Sequence, residues 1–73
     1  MLSILEEEGF VVTMEEVIDN YVEKQLERGS DVIILRQTFH PPDEIENEIY
    51  IITGELDIDL EIKLEDLDCE IIH

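Results

Sequence analysis

The chain has 73 residues, of which 21 are acidic and four are basic, for a formal net charge of −17. That length suits one small domain, and the sign of the charge argues against direct binding to nucleic acid or to an anionic membrane. The single cysteine, Cys69, leaves no internal disulfide and no Cys-based zinc site. Leu, Ile, Val and Phe still make up 27 of the 73 residues. This is well above the roughly 20% typical of disordered chains, so a folded domain over residues 1–73 is expected.

The N-terminus, Met1-Leu2-Ser3-Ile4-Leu5, has no basic region, and its apolar run is too short for a secretory signal. No stretch approaches the ~20 apolar residues of a membrane span. A cytoplasmic protein is expected. Ser3 and Glu6 have the spacing of a capping box, which predicts one or two helical turns over 3–8, stopped by Gly9.

The most strongly marked element is a helix from Met14 to Arg28. Thr13 and Glu16 form a second capping-box pattern, Glu15 and Glu16 suit the positive end of the helix dipole, and Gly29 suits its end. Met14, Val17, Ile18, Tyr21, Val22 and Leu26 then form one apolar stripe, with Tyr21 packed in the core and its hydroxyl at the rim. Val32 to Phe39 is rich in β-formers and reads as a strand, ended by the loop His40-Pro41-Pro42-Asp43. Ile45 to Ile52 reads as a second strand, with a turn at Thr53-Gly54. Leu56 to Leu64 alternates apolar and polar residues strictly and reads as a third. Leu67 to Ile72 reads as a fourth, after a break at Glu65-Asp66.

Two-residue turns at Thr53-Gly54 and Glu65-Asp66 bring the apolar residues of the last three strands to one face, as one-sided burial requires. The expected fold class is therefore α+β: one main helix packed on a four-stranded antiparallel β-meander, with a short extra helical turn at the N-terminus.

The same registers define an outward face. Glu46, Glu48 and Tyr50 project from the second strand, Asp57, Asp59 and Glu61 from the third, and Asp68 and Glu70 from the fourth. Glu48 would then oppose Asp59, and Glu61 would oppose both Glu46 and Glu70. Like charges directly across a sheet cost about 0.2–1 kcal/mol each. On the expected helix, Glu15, Asp19, Glu23 and Glu27 recur every fourth residue, and each like-charge pair costs about 0.2–0.5 kcal/mol. A surface kept negative against its own stability points to a basic partner. Acids at alternate strand positions lie roughly 6.6 Å apart, so that rows of them can imitate a phosphate backbone for a protein that grips DNA with Lys and Arg. These twelve residues are the candidate partner-binding set.

Other chemistry is not supported. Asp57-x-Asp59-x-Glu61 lacks the glycine and the downstream glutamate of a calcium loop. His40 and His73 belong to no ligand pattern. Cys69 falls on the inward face without a neighbouring base. The carboxylates of a solvated face lack the unlike environments that acid–base catalysis needs. No cofactor, no metal and no enzymatic activity are expected.

In size, in the single capped helix Thr13–Arg28 and in the acid-alternating segments 45–52, 56–64 and 67–72, the chain resembles the small acidic DNA-mimic proteins that phages direct against host DNA-binding proteins. It is most similar to those of Bacillus phages that inhibit the histone-like nucleoid protein HU. The resemblance implies a host-takeover inhibitor, acting in the cytoplasm of an infected bacterium, that occupies the DNA-binding cleft of a basic, HU-like protein. Two alternatives stay open: an inhibitor of a host DNA-processing enzyme (a glycosylase, nuclease, CRISPR component or polymerase), and an acidic assembly module with incidental charge. Val32-Ile33-Ile34-Leu35 is apolar on both faces, and Ile52 and Ile72 point outward in these registers. A homodimer is therefore expected as well.

Overall fold

The computed structural model describes all 73 residues. In chain order the elements are α1 (Leu2–Glu7), β1 (Val11–Ile18), β2 (Tyr21–Arg28), β3 (Asp31–His40), β4 (Glu44–Thr53), α2 (Ile58–Glu65) and β5 (Cys69–Ile72). The strands form one sheet in the order β1-β2-β3-β4-β5. The first four pair antiparallel and β5 lies parallel to β4, which makes the sheet mixed. Strand residues make up 55% of the chain.

This corrects the expected architecture in two places. The segment expected to be the main helix, Met14 to Arg28, is part of the β1–β2 hairpin. Asp19 and Asn20 form its two-residue connection, since Ile18 pairs with Tyr21, and Asp19 adopts a positive φ of 42°. Val11, Val12, Thr13, Val17, Ile18, Tyr21 and Val22 are β-branched or aromatic and favour a pleated surface. Charge points the same way. A helix would stack Glu15, Asp19, Glu23 and Glu27 one above another. In the hairpin, Glu15 instead lies opposite Lys24 and Glu23 opposite Arg36.

The second correction is Leu56–Leu64, expected to be a strand. Its residues from Ile58 onward are helix α2. Leu56, Leu60 and Leu64, spaced by four, are 7%, 1% and 0% exposed and form its buried side. Asp59 and Glu61 lie in the first turn and Lys63 in the last, as the helix dipole favours. The Thr53-Gly54 turn therefore closes no hairpin. β4 and β5 run parallel, and parallel neighbours need a crossover of a dozen or more residues, which α2 and its flanking loops provide. The expected opposition of Asp59 and Glu61 to β4 does not occur.

Glycines set two of the chain reversals. Gly29, with φ +59°, opens the Gly29-Ser30 turn that pairs Arg28 with Asp31. Gly54, with φ +84°, ends β4 where an added Cβ would lie 2.9 Å from the Asp31 Cα. Two irregularities, at Thr13 in β1 and Ile52 in β4, shift the register by one residue.

The core lies on one face of the sheet. Leu26, Ile33, Leu35, Ile49 and Cys69 project from the strands and meet Leu5, Phe10, Leu56, Leu60 and Leu64 from the helices and their loops. Burying each large aliphatic side chain here stabilises the fold by roughly 1.5–3 kcal/mol. Arg28 ties the layers together: its guanidinium lies 4.5 Å from the Phe10 ring centroid, donates to the Glu8 carbonyl (3.1 Å) and pairs with Asp31 (3.3 Å). The helices do not cover the whole of this face. Beyond them, Val17, Phe39 and Ile45 stay 69%, 48% and 50% exposed.

Candidate binding face

Alternation along the strands sends the remaining side chains to the opposite face, which no helix covers. The pairings place Met14, Glu16 and Ile18 of β1 there, with Tyr21, Glu23, Gln25 and Glu27 of β2. Ile34, Arg36, Thr38 and His40 of β3 join them, with Glu44, Glu46, Glu48 and Tyr50 of β4 and Glu70 and Ile72 of β5. This face therefore carries seven carboxylates against one permanent cation, Arg36.

Arg36 organises the centre. Its Nη2 lies 3.1 Å from the Glu23 Oε2, and its guanidinium sits 5.0 Å and 5.2 Å from the ring centroids of Tyr21 and Tyr50. The bond to Glu23 raises the Arg36 pKa above its ordinary value and fixes its charge. The Tyr50 hydroxyl donates to the Glu48 carboxylate at 3.2 Å, and partial burial together with that bond raises the tyrosine's pKa. Toward one end of the face, the His40 Nε2 lies 3.0 Å from Glu46.

Glu46, Glu48 and Glu70 bring their carboxylate oxygens within 4.8 Å of one another. A hard divalent cation is the kind of ion that three oxygens so placed could hold. Without one they concentrate negative charge at the β4–β5 seam. Along β4, Glu44, Glu46 and Glu48 follow one another at about 6.6 Å, and neighbouring strands are spaced by about 4.8 Å. Of the protein's 21 carboxylates, six lie within ion-pair distance of any base, two of those only of a histidine.

The twelve candidate residues divide accordingly. Glu46, Glu48, Tyr50 and Glu70 share the open face, and Glu23 and Glu27 join them from β2 rather than from a helix. Asp57, Asp59 and Glu61 belong to the start of α2. Asp57 lies 4.0 Å from Arg28, and Glu61 3.6 Å from His73. Asp68 occupies the turn before β5 with φ 59°, Asp19 the turn before β2, and Glu15 lies on the helix-bearing side opposite Lys24. Tyr21, expected in the core, is on the open face beneath Arg36. Sequence reasoning missed Glu16, Glu44 and Arg36. Read with period two, Tyr21, Glu23, Gln25 and Glu27 already separate from Val22, Lys24 and Leu26.

Comparison of the chain with family models, with curated proteins and with solved structures gave no match. No helix is long and apolar enough to cross a membrane. The layout behind the resemblance to phage DNA mimics is also absent, since Thr13–Arg28 is not a helix and 56–64 is not a strand. The size, the charge and the acid-bearing strand β4 remain.

Proposed function

We propose that the protein is a non-enzymatic DNA mimic. On this reading the open acidic face enters the DNA-binding cleft of a basic protein, with an HU-type nucleoid protein as first partner, and blocks its access to DNA. The observation that carries the reading is the open face itself: seven glutamates in strand-spaced rows, one cation, and no helix above them. A partner that grips phosphates with Lys and Arg gains on this face the contacts it makes along a DNA strand. Complementary charge of this kind speeds association and weakens with salt, as the Debye length shrinks to about 8 Å at 0.15 M. Tyr21, Tyr50 and Ile34 supply the amphipathic centre that exposed carboxylates lack.

The test is a titration of an HU-type protein with and without competing duplex DNA. Glu46→Gln, Glu48→Gln and Glu70→Gln together relieve a like-charge cluster, so the triple variant is expected to be at least as stable as the parent. Its affinity for the basic partner is expected to fall at least about tenfold, from roughly 0.5–1 kcal/mol for each exposed pair lost. Simultaneous binding of DNA and this protein to the partner, with no mutual loss of affinity, overturns the reading.

A further inference from the structure

The sheet ends on β1, and nothing pairs with its outer edge. Natural edge strands are guarded by Lys, Pro, shortness or a bulge. The opposite edge, β5, is only four residues long. β1 has eight residues with no Lys and no Pro, and most of them are exposed, including Val11 (63%), Met14 (65%) and Val17 (69%). Its single irregularity is at Thr13, which leaves Met14 to Ile18 as an uninterrupted ladder edge.

Beside this edge the open face has a shallow pocket of about 100 Å³, lined by Met14, Glu15, Glu16, Glu23, Gln25 and Ile34. Met14 and Ile34 offer it an apolar wall. Glu16 and Glu23 face each other across β1 and β2, yet Arg36 pairs only with Glu23, and no base lies within ion-pair distance of Glu16. Of the three glutamates in the lining, Glu15 lies opposite Lys24 and Glu23 pairs with Arg36, which leaves Glu16 without a cation. A lysine or arginine side chain matches what is missing: an aliphatic stem for Met14 and Ile34, and a charge for Glu16.

We infer that the β1 edge takes an extended basic segment of the partner as a sixth strand, and that a Lys or Arg of that segment fills this pocket. A long side chain on the added strand has one inter-strand spacing of about 4.8 Å to span before it reaches Glu16. Backbone pairing supplies affinity and the pocket supplies the preference for a cation, as in other cases of strand addition. Glu15 and Glu16 also disfavour two of the registers in which a second copy of this chain could pair here. A two-fold antiparallel pairing centred on Glu15 or on Glu16 sets glutamate against glutamate, which is unfavourable. The inference rests on the proposed basic partner and names the element that receives it.

The experiment titrates the full chain with a nine-residue peptide of alternating Lys and Val, followed by amide NMR shifts and hydrogen exchange. A control peptide of the same sequence carries N-methyl groups on every internal amide, which keeps its charge and removes the ladder donors of both its edges. The expected result is slowed exchange confined to Met14–Ile18. Affinity is expected to fall at least about tenfold for the methylated peptide, the effect of one or two net hydrogen bonds. It should fall severalfold for the parent peptide with Glu16→Gln. Equal binding of the two peptides, or shifts centred on β4 and β5, overturns edge pairing and leaves the acidic-face reading standing. Binding of an HU-type protein without binding of the peptide has the same meaning. Failure of both peptide and HU-type protein to bind overturns the two together.

Discussion

Replacing Arg36 with Met separates what holds the open face together from what it presents. The substitution keeps most of the stem and removes the one permanent cation. It deletes the 3.1 Å pair with Glu23 and the contacts of the charge with the Tyr21 and Tyr50 rings. Charge-assisted hydrogen bonds contribute about 1.5–3 kcal/mol where well shielded. Here the side chains are 35% and 23% exposed, so solvent screening reduces the pair to about 1 kcal/mol. The two ring contacts add about 0.5 kcal/mol each. The expected loss is therefore about 2 kcal/mol. For a domain of this size that lowers Tm by about 8–16 °C, or the urea midpoint by about 2 M at a slope near 1 kcal/mol per M. Added salt should restore part of the loss, because the variant carries one more uncompensated negative charge. In a double-mutant cycle with Glu23→Gln, the coupling should be about 1 kcal/mol. Affinity for the basic partner should not fall, since the face has become more negative. A variant as stable as the parent to within about 0.5 kcal/mol would falsify the account of Arg36 as the centre of the face.

Burial pushes the Cys69 thiol up from its ordinary 9.0 to about 11. The thiol is neutral when protonated, so its contribution to stability is complete below pH 9.0 and is lost as the pH rises toward about 11. Cys69→Ala should flatten that alkaline limb in denaturation curves, and the native thiol should react with iodoacetamide at neutral pH only as fast as the chain opens. At the end of the helix-bearing face that α1 and α2 do not reach, Val17, Val22, Phe39 and Ile45 surround Lys24, Gln37 and Asn47. We propose that a second copy covers this end as a two-fold dimer, because it is an exposed apolar region whose carboxylate, Glu15, lies opposite Lys24. Light scattering should give twice the 8.5 kDa of one chain, with Phe39→Lys returning the single-chain mass. A parent that scatters as one chain rejects the dimer.

The parts of the fold legible in the sequence are those where one periodicity stood alone. Ile45–Ile52 and Val32–Phe39 lie within β4 and β3, and a short helix precedes Gly9 as expected, although Met1 rather than Ser3 is its N-cap and no side-chain capping bond forms. The hairpin was hidden because Met14, Val17, Ile18, Tyr21 and Val22 fit a helical stripe as well as two strands joined at Asp19-Asn20. The choice between them depends on partners distant in sequence: Leu26 against Ile33, and Glu23 against Arg36. The candidate site followed the same rule. Glu46, Glu48, Tyr50 and Glu70 were placed together because their strands were recognised, whereas Asp57, Asp59 and Glu61 left the face with the strand that α2 replaced.

Residues 56–64 carry two conformations in one text. Leucine at every fourth position suits the helix they form; an apolar residue at every second position suits a strand they do not form. The unused pattern leaves Ile58 and Ile62 in water, 74% and 52% exposed. Ionisation bears on the choice. In a strand, Asp57, Asp59 and Glu61 would project in one row, whereas the helix turns Asp59 and Glu61 about 200° apart, two steps of its 3.6-residue turn. Asp57→Asn, Asp59→Asn and Glu61→Gln together remove that reason for coiling while leaving the alternation in place. In this triple variant far-UV circular dichroism is expected to lose helix and gain sheet. Helix signal unchanged in the variant would show that the packing of Leu56, Leu60 and Leu64 alone decides the conformation.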